Sequence, residues 1–336
     1  MCGRGMFTST MEEVRRWARA EGAKGRGCEG GGVDDGGGWE GRANVGPGTA
    51  VPVVVRRGWA EREVRLMRWG LVPSWMPADS RPDFFRMFNA RGETVASKPV
   101  FSTLLHAKRD KQDTDAKRGR CLVSCDGFYE WLAVEDGPSR KKRKQPYLVR
   151  RKDGERLRLA GLWDTWAPAR GGGDDEGPRD METFTIVTVG ASDQISWLHD
   201  RMPAVLPTFE DGERWLDGSS DTRDLLVPLD KALGELAWHP VDPAMSKLEV
   251  QGAQATDPWT PPRAGGDIRD AFSKGRKGVK REPPAPTPSS EAPSPSPKKR
   301  PTPEVSHGQR TLSAFFKPAP HPTGARKGGG DDEDIS

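Results

Sequence analysis

Residues 120–131 read RCLVSCDGFYEW, and this stretch decides how the rest of the sequence is interpreted. A short apolar run typical of a β-strand leads into an Asp-Gly pair, and two aromatic residues then flank Glu130. Comparable apolar runs occupy residues 51–55, 64–69, 147–150, 157–163 and 183–189. The sequence therefore predicts a β-rich α+β domain, built around a curved sheet or open barrel, with strands outnumbering helices.

A few helices complete this domain. Residues 11–21 (MEEVRRWARAE) follow Thr8, Ser9 and Thr10, a pattern typical of a capped amphipathic helix. Residues 192–199 and 209–216 are predicted to form two more short helices. We find no internal repeat.

Composition divides the chain near residue 260. The whole protein has 336 residues and a net charge of +4, but residues 1–260 carry a net −1 and residues 261–336 a net +5. The second segment holds 14 of the 30 prolines and little apolar periodicity. We therefore predict a globular domain over 1–260 and a disordered, basic tail over 261–336.

Within the domain, polar insertions are predicted near residues 22–38, 108–120, 138–145 and 170–180. The second and third are basic, and either can extend a nucleic-acid footprint or form a solvated loop. The sequence has neither an apolar run long enough to span a membrane nor the apolar start of a secretory signal. Four cysteines in 336 residues are too few for a disulfide scaffold, which favours a reducing compartment.

Cys2 is the first candidate for chemistry. If Met1 is removed, Cys2 carries an α-amine and a thiol on adjacent carbons. An α-amine has a pKa of about 7.7–8.0, so part of it is unprotonated at neutral pH and can attack a carbonyl. The thiol can then close on the imine carbon to form a thiazolidine. The alternative is an incidental residue at a frayed terminus.

A second candidate lies in residues 87–93 (MFNARGE), which follow RWGLVPSW at 68–75. Asn89 offers a donor and an acceptor, and the guanidinium of Arg91 suits a phosphate. Trp69 and Trp75 can supply stacking faces for bases. The alternative is a strand-to-helix turn with its tryptophans in the core.

Two titratable groups complete the set. A carboxylate at Glu130, between Tyr129 and Trp131, is expected to have a raised pKa suited to acid–base work, unless it is an exposed strand residue. His199, in SWLHDRMPAVL at 196–206, can shuttle protons or be purely structural. Cys121 and Cys125 lack the spacing of a zinc site and are expected to be buried thiols, so neither a metal nor another cofactor is predicted.

Taken in order, MCGR, RWGLVPSW, FNARGE, CLVSCDGFYEW and SWLHDRMP resemble the SOS-response-associated peptidase (SRAP) family over residues 2–250. The resemblance implies binding to single-stranded DNA that carries an abasic site, whose ring-opened sugar presents an aldehyde. Cys2 would form a Schiff base and then a thiazolidine with that aldehyde, shielding the lesion at replication forks.

The same resemblance implies a role for each site residue. Asn89 would hold the N-terminus and the thiazolidine, Glu130 would assist ring opening, and His199 would act as acid or base at the Schiff base. Arg4 and Arg91 would grip phosphates, and Trp69 would pack against the DNA. The protein would act as a monomer.

The resemblance leaves two other functions open. The first is a thiol peptidase in which Cys2, His199 and Glu130 form a nucleophile–base–orienter set. The second is a non-catalytic reader of 5-hydroxymethylcytosine in DNA.

The tail carries two address signals. In residues 309–316 (QRTLSAFF), Gln309, Leu312, Phe315 and Phe316 resemble the motif by which replication proteins dock on the sliding clamp PCNA. The basic runs 274–281 (KGRKGVKR) and 297–301 (PKKRP) are typical of nuclear import signals, so we expect the protein in the nucleus.

Overall fold

The computed structural model describes residues 3–20, 38–57, 61–107, 116–136, 141–169, 180–218 and 221–260. Cys2, most of the predicted insertions at 22–38, 108–120 and 170–180, and the whole predicted tail with its clamp and import motifs lie outside the described residues.

The described residues form β-strands at β1 Gly5–Phe7, β2 Arg42–Val45, β3 Ala50–Arg57, β4 Glu61–Trp69, β5 Asn89–Arg91, β6 Arg118–Cys125, β7 Gly127–Asp136, β8 Lys141–Arg151, β9 Leu157–Trp166, β10 Met181–Gly190, β11 Arg201–Pro203 and β12 Leu236–Pro240. The α-helices are α1 Met11–Ala20, α2 Gly92–Val95, α3 Pro99–Leu105, α4 Phe209–Asp217 and α5 Ala253–Thr256. Each of the predicted apolar runs lies within one of these strands, which confirms the β-rich fold.

Five strands close into a barrel in the order β4–β3–β6–β9–β10. Closure depends on β10, which pairs antiparallel with β9 and parallel with β4. Beyond that closure, Thr188 of β10 pairs with Arg91 of β5 on one edge and with Pro203 of β11 on the other. Each of the five strands is therefore paired on both sides, so the curved sheet or open barrel that the sequence predicted takes the form of a closed barrel.

A second sheet has the strand order β12–β8–β7–β1–β2. Side chains alternate between its faces, so Phe128 and Val149 pack with the barrel core, whereas Tyr129 and Leu148 face the other way. That outer face is covered by residues 241–256, which contribute Met245 and other apolar side chains to a smaller core. The two faces of this sheet therefore separate two environments.

Helix α1 begins as its sequence predicts. Thr10 Oγ1 accepts a hydrogen bond from the Glu13 N–H, and the Glu13 carboxylate accepts one from the Thr10 N–H, which makes a capping box. Val14 and Ala18 are buried on the face that meets the core. The helix predicted at residues 209–216 is likewise confirmed as α4, with its own capping box at Thr208.

Two local predictions are wrong. Residues 192–199 form successive turns rather than a helix, because the Gln194 side chain bonds to the carbonyls of Leu229 and Gly234 and to the N–H of Leu236. The basic run at 141–144, predicted as an insertion, belongs to β8, since the β7–β8 ladder continues as far as the pairing of Asp136 with Lys141. No helix among the described residues is both long and apolar enough to cross a membrane.

Candidate active site

The site lies where the barrel meets the second sheet. Glu130 projects from the inner face of β7 and is only 2% exposed. His199 stands in the turn between β10 and β11 of the barrel, and its Nε2 lies 3.9 Å from Glu130 Oε2. That distance exceeds a hydrogen bond, so the two groups interact electrostatically without sharing a proton.

Aromatic packing holds the His199 turn on the second sheet. Tyr147 pairs directly with Glu130 across the β7–β8 ladder, so both side chains are on the inner face. Trp197 packs edge-on against Tyr147 at 5.1 Å between ring centroids and contacts Trp238 at 5.8 Å. This cluster holds the turn that carries His199 against the second sheet.

An ionic contact ties the same turn to the barrel. Arg201 donates from both terminal nitrogens to the Glu93 carboxylate and also to the Thr188 carbonyl of β10. Glu93 belongs to α2, which directly follows Asn89 and Arg91 on β5. Arg201 therefore joins the two segments that carry Asn89 and His199, although the sequence interpretation singled out only His199 in the HDRMP stretch.

Burial sets the acidity of Glu130. Removal from water penalises the carboxylate and raises the pKa of Glu130 to about 7. The alternative of an exposed strand residue is thus wrong. A carboxyl group with this pKa can both give and take a proton near neutral pH, as acid–base chemistry requires.

His199 is set to be neutral at the same pH. Desolvation by burial lowers the pKa of His199, while the Asp200 carboxylate acts in the opposite direction. Nδ1 accepts a hydrogen bond from the Arg201 N–H at 2.9 Å, and Asp200 Oδ1 lies 2.7 Å from the same nitrogen. Nδ1 cannot accept from Arg201 and donate to Asp200 at the same time. A neutral ring protonated at Nε2 accepts from Arg201, whereas one protonated at Nδ1 donates to Asp200 and leaves Nε2 as a proton acceptor facing Glu130.

Not every predicted residue joins this site. Asn89 is half-buried at the start of β5, and Arg91 is exposed at its end. Trp69 is fully buried, stacks on Phe184 and donates from its indole N–H to the Phe88 carbonyl. The expectation that Trp69 packs against DNA is therefore wrong, because its ring faces are used in the core.

Exposed aromatic rings lie instead in the segment between β4 and β5. Trp75 is 72% exposed and Phe85 is 63% exposed, an unusual state for large apolar side chains. Trp75 was the second stacking residue that the sequence suggested, and Phe85 was missed although it stands in the aromatic run before Asn89.

Arg4 faces the opposite side of the second sheet from Glu130. Its guanidinium donates to Asn44 Oδ1 at 2.9 Å and to the carbonyls of Met245 and Ser246, and it lies over the Trp131 ring. These contacts hold residues 241–256, so the expected grip on a phosphate stays a prediction.

Cys121 and Cys125 are buried thiols, as their spacing suggested, and burial raises the pKa of Cys125 to about 12. Within the described part of the chain, His, Cys, Asp and Glu side chains form no group of three that could hold a metal ion.

The sequence of the chain is similar to those of proteins that are already named. The chain is 33% identical to the abasic site processing protein HMCES of Gallus gallus over 224 residues, which are 59% of this chain and 60% of that protein. It is 31% identical to the abasic site processing protein YoqW of Bacillus subtilis, over 55% of this chain and 71% of the relative. The match to the chicken protein thus spans less than two thirds of its length.

A crystal structure of a protein from Bacteroides thetaiotaomicron has the same fold. It aligns with a TM-score of 0.57 at 23% identity and covers 77% of this chain and 100% of that chain. The sequence model described as SOS response associated peptidase (SRAP) matches residues 1–248, nearly the whole described domain. The chain therefore belongs to the SRAP family.

Proposed function

We propose that this protein processes abasic sites in single-stranded DNA at replication forks by linking itself covalently to them through Cys2, after removal of Met1. The names of the relatives support abasic-site processing. The observation that carries the proposal is the buried Glu130 beside His199, a proton-transfer pair at the place to which β1 brings the start of the chain.

The register of β1 supplies that placement. Gly5 pairs with Phe128, and the Tyr129 N–H donates to the Arg4 carbonyl. In an antiparallel pair, two residues upstream on one strand lie opposite two residues downstream on the other, so Gly3 falls opposite Glu130. Cys2 directly precedes Gly3 in the sequence.

The reaction is balanced without an oxidant or a reductant. The Cys2 amine adds to the aldehyde carbon of the ring-opened sugar, and the resulting carbinolamine loses water to form an imine. The thiol adds through sulfur to the imine carbon, and its proton goes to the nitrogen, which closes the thiazolidine. Glu130 donates the proton that leaves with water, and neutral His199 accepts the proton released by the amine.

We assign the DNA contacts to exposed groups on β5 and in the segment that leads to it. Arg91 is exposed next to Asn89, and the exposed Trp75 and Phe85 offer flat faces to unpaired bases. Asn89 then orients the N-terminus and the thiazolidine by hydrogen bonds. Because residues 1–260 carry a net −1, affinity for the strand depends on local placement of these groups.

The test is a denaturing gel of the purified protein with an abasic single-stranded oligonucleotide. We expect a shifted band that survives denaturation, and an intact mass that shows Met1 removed and the mass of one oligonucleotide, less one water, gained. Cys2→Ala should give no stable band. Cys2→Ser keeps the amine but not the thiol, so its imine should be trapped only after reduction by borohydride.

Two outcomes would favour other functions. Cleavage of peptides that requires Cys2 would favour the peptidase, which the Glu130–His199 pair and the family description also accommodate. Reversible binding selective for 5-hydroxymethylcytosine, without any covalent band, would favour a reader of modified DNA.

We propose that the tail determines where in the cell this reaction takes place. The basic runs at 274–281 and 297–301 direct the protein to the nucleus, and residues 309–316 dock it on the sliding clamp PCNA. Imaging of the chain with and without these basic runs tests the first part of this proposal.

A further inference from the structure

Residues 241–256, here called the strap, cover the outer face of the second sheet, opposite the active site. One buried polar side chain, Asn44 on β2, holds the strap down. Its amide nitrogen donates to the carbonyls of Met245, Lys247 and Val250 at 2.7, 2.9 and 3.0 Å. An amide has only two N–H hydrogens, so the three acceptors share them and the donor capacity of Asn44 is fully used.

The oxygen of the same amide points to the start of the chain. Asn44 Oδ1 accepts from Arg4 Nη1 at 2.9 Å, and Arg4 also donates to the Met245 carbonyl at 3.2 Å and the Ser246 carbonyl at 2.9 Å. Asn44 is 2% exposed, and Arg4 is half-buried between the strap and the Trp131 ring. Arg4 therefore depends on Asn44 directly and again through the strap.

Arg4 in turn fixes the backbone that leads to Cys2. The carbonyl of Arg4 accepts from the Tyr129 N–H at 3.0 Å, one residue before Glu130. β1 is only three residues long, so its own ladder holds the chain start weakly. The side-chain anchor of Arg4 on one face and the bond to β7 together leave the chain start little freedom.

We propose that Asn44 is a positioning residue: acting through Arg4, it holds the first residues of the chain so that Cys2 meets Glu130 and His199. This inference rests on the proposed function of Cys2. It also assigns Arg4 to anchoring the chain, in place of the phosphate contact that the family resemblance implied.

The matched control is Gln251. Its side chain also ties the strap to residue 44, but only through the main-chain N–H and carbonyl of Asn44, at 3.0 and 2.8 Å, and it does not bond to Arg4. Gln251→Ala therefore loosens the strap while leaving the link between Asn44 and Arg4 intact.

The experiment measures the rate of covalent adduct formation by the full chain with an abasic single-stranded oligonucleotide, at saturating DNA. Asn44→Ala should slow this rate roughly 10- to 100-fold, the usual result of a misplaced reacting group, with the half-saturating DNA concentration unchanged. Gln251→Ala should stay within about twofold of the wild type.

A double variant identifies the route. If Asn44 acts through Arg4, then Asn44→Ala combined with Arg4→Gln is no slower than the slower single variant, because both changes remove the same contact. Multiplied rate losses, equal slowing by Gln251→Ala, or a raised half-saturating DNA concentration in Asn44→Ala would each overturn the proposal.

A readout independent of the chemistry separates this proposal from the proposed function. Hydrogen exchange at the Tyr129 amide should be faster in Asn44→Ala than in the wild type or Gln251→Ala, because its acceptor is the Arg4 carbonyl. A wild-type protein that forms no adduct would refute the proposed function, and unchanged exchange at Tyr129 would refute the positioning role.

Discussion

At the scale of single residues, the burial of Glu130 lowers the stability of the folded protein once its carboxyl group is ionised. Its reference pKa is 4.5, and burial raises the pKa of Glu130 to about 7 in the folded protein. Between these two values the folded state holds a proton that the unfolded state has lost. The contribution of Glu130 to stability is therefore complete below pH 4.5 and is lost as the pH rises through 7.

Glu130→Gln should remove this dependence. The neutral amide has nearly the shape of the protonated acid, so at pH 8 the variant should gain up to ~3 kcal/mol in free energy of unfolding relative to the wild type, and little at pH 4. Urea unfolding at the two pH values measures this difference. We expect adduct formation by the variant to fall by roughly 100-fold. A stability difference that is the same at both pH values would contradict the burial argument.

His199 supports a second prediction. Since burial lowers the pKa of His199, the ring is neutral at pH 7 and acts first as a proton acceptor. His199→Ala should slow adduct formation or its reversal by roughly 100-fold while DNA affinity is largely kept. The measurement pairs gel kinetics with a binding titration on undamaged single-stranded DNA. A large loss of affinity would place His199 among the DNA contacts instead.

At the scale of elements, closure of the barrel depends on a tight approach between β6, β9 and β10. Gly161 pairs with Cys121 on one side and Ile186 on the other. A Cβ at residue 161 would lie 2.7 Å from Cys121 Sγ and 3.2 Å from the Thr185 carbonyl oxygen. The first distance is too short for a real contact, so Cys121 or its strand must shift, and the second requires the Thr185 backbone to give by a few tenths of an ångström.

Gly161→Ala should therefore destabilise the domain by about 1–3 kcal/mol through overpacking. Gly190→Ala is the matched control at the end of β10, where no atom lies within 4 Å of the added carbon. The control should be neutral or stabilising by up to ~1 kcal/mol, because alanine restricts the unfolded chain. Thermal unfolding of both variants measures this difference in stability. Equal melting temperatures would show that the barrel accommodates the added methyl group at residue 161 without strain.

Elements were predictable where local preference and burial agree. The valine-rich run of β3 and the capped α1 needed no knowledge of their neighbours, because side-chain branching and the Thr10 cap act locally. The turns at 192–199 were not predictable, since Gln194 and Trp197 find their partners on distant strands. The fate of Trp69 has the same cause: a tryptophan suits a core or a binding face equally well in sequence.

At the scale of the whole molecule, the sequence grouped Glu130 and His199 only through family resemblance. Their meeting depends on how a sheet docks against a barrel, which spacing along the chain does not encode. The roles of Asn44 and Arg201 likewise depend on contacts that are distant in sequence, because their partners Met245 and Glu93 lie 201 and 108 residues away. The roles of buried residues whose polar partners are distant in sequence are thus the part of a site that cannot be predicted from a single sequence.

The predicted division between domain and tail gives the last prediction. Residues 309–316 contain nearly all the large apolar side chains after residue 300, in a pattern suited to a one-turn helix inserted in a groove. Replacing Phe315 and Phe316 by Ala should abolish binding to PCNA, because the apolar plug supplies most of the affinity, and should leave adduct formation in vitro unchanged. A clamp pull-down and the denaturing gel, on the same preparation, measure the two effects separately.

Ser313→Ala, between the anchor positions, is the control that should retain clamp binding. Equal loss of adduct formation would show that the tail takes part in the active domain and would move the domain boundary beyond residue 260.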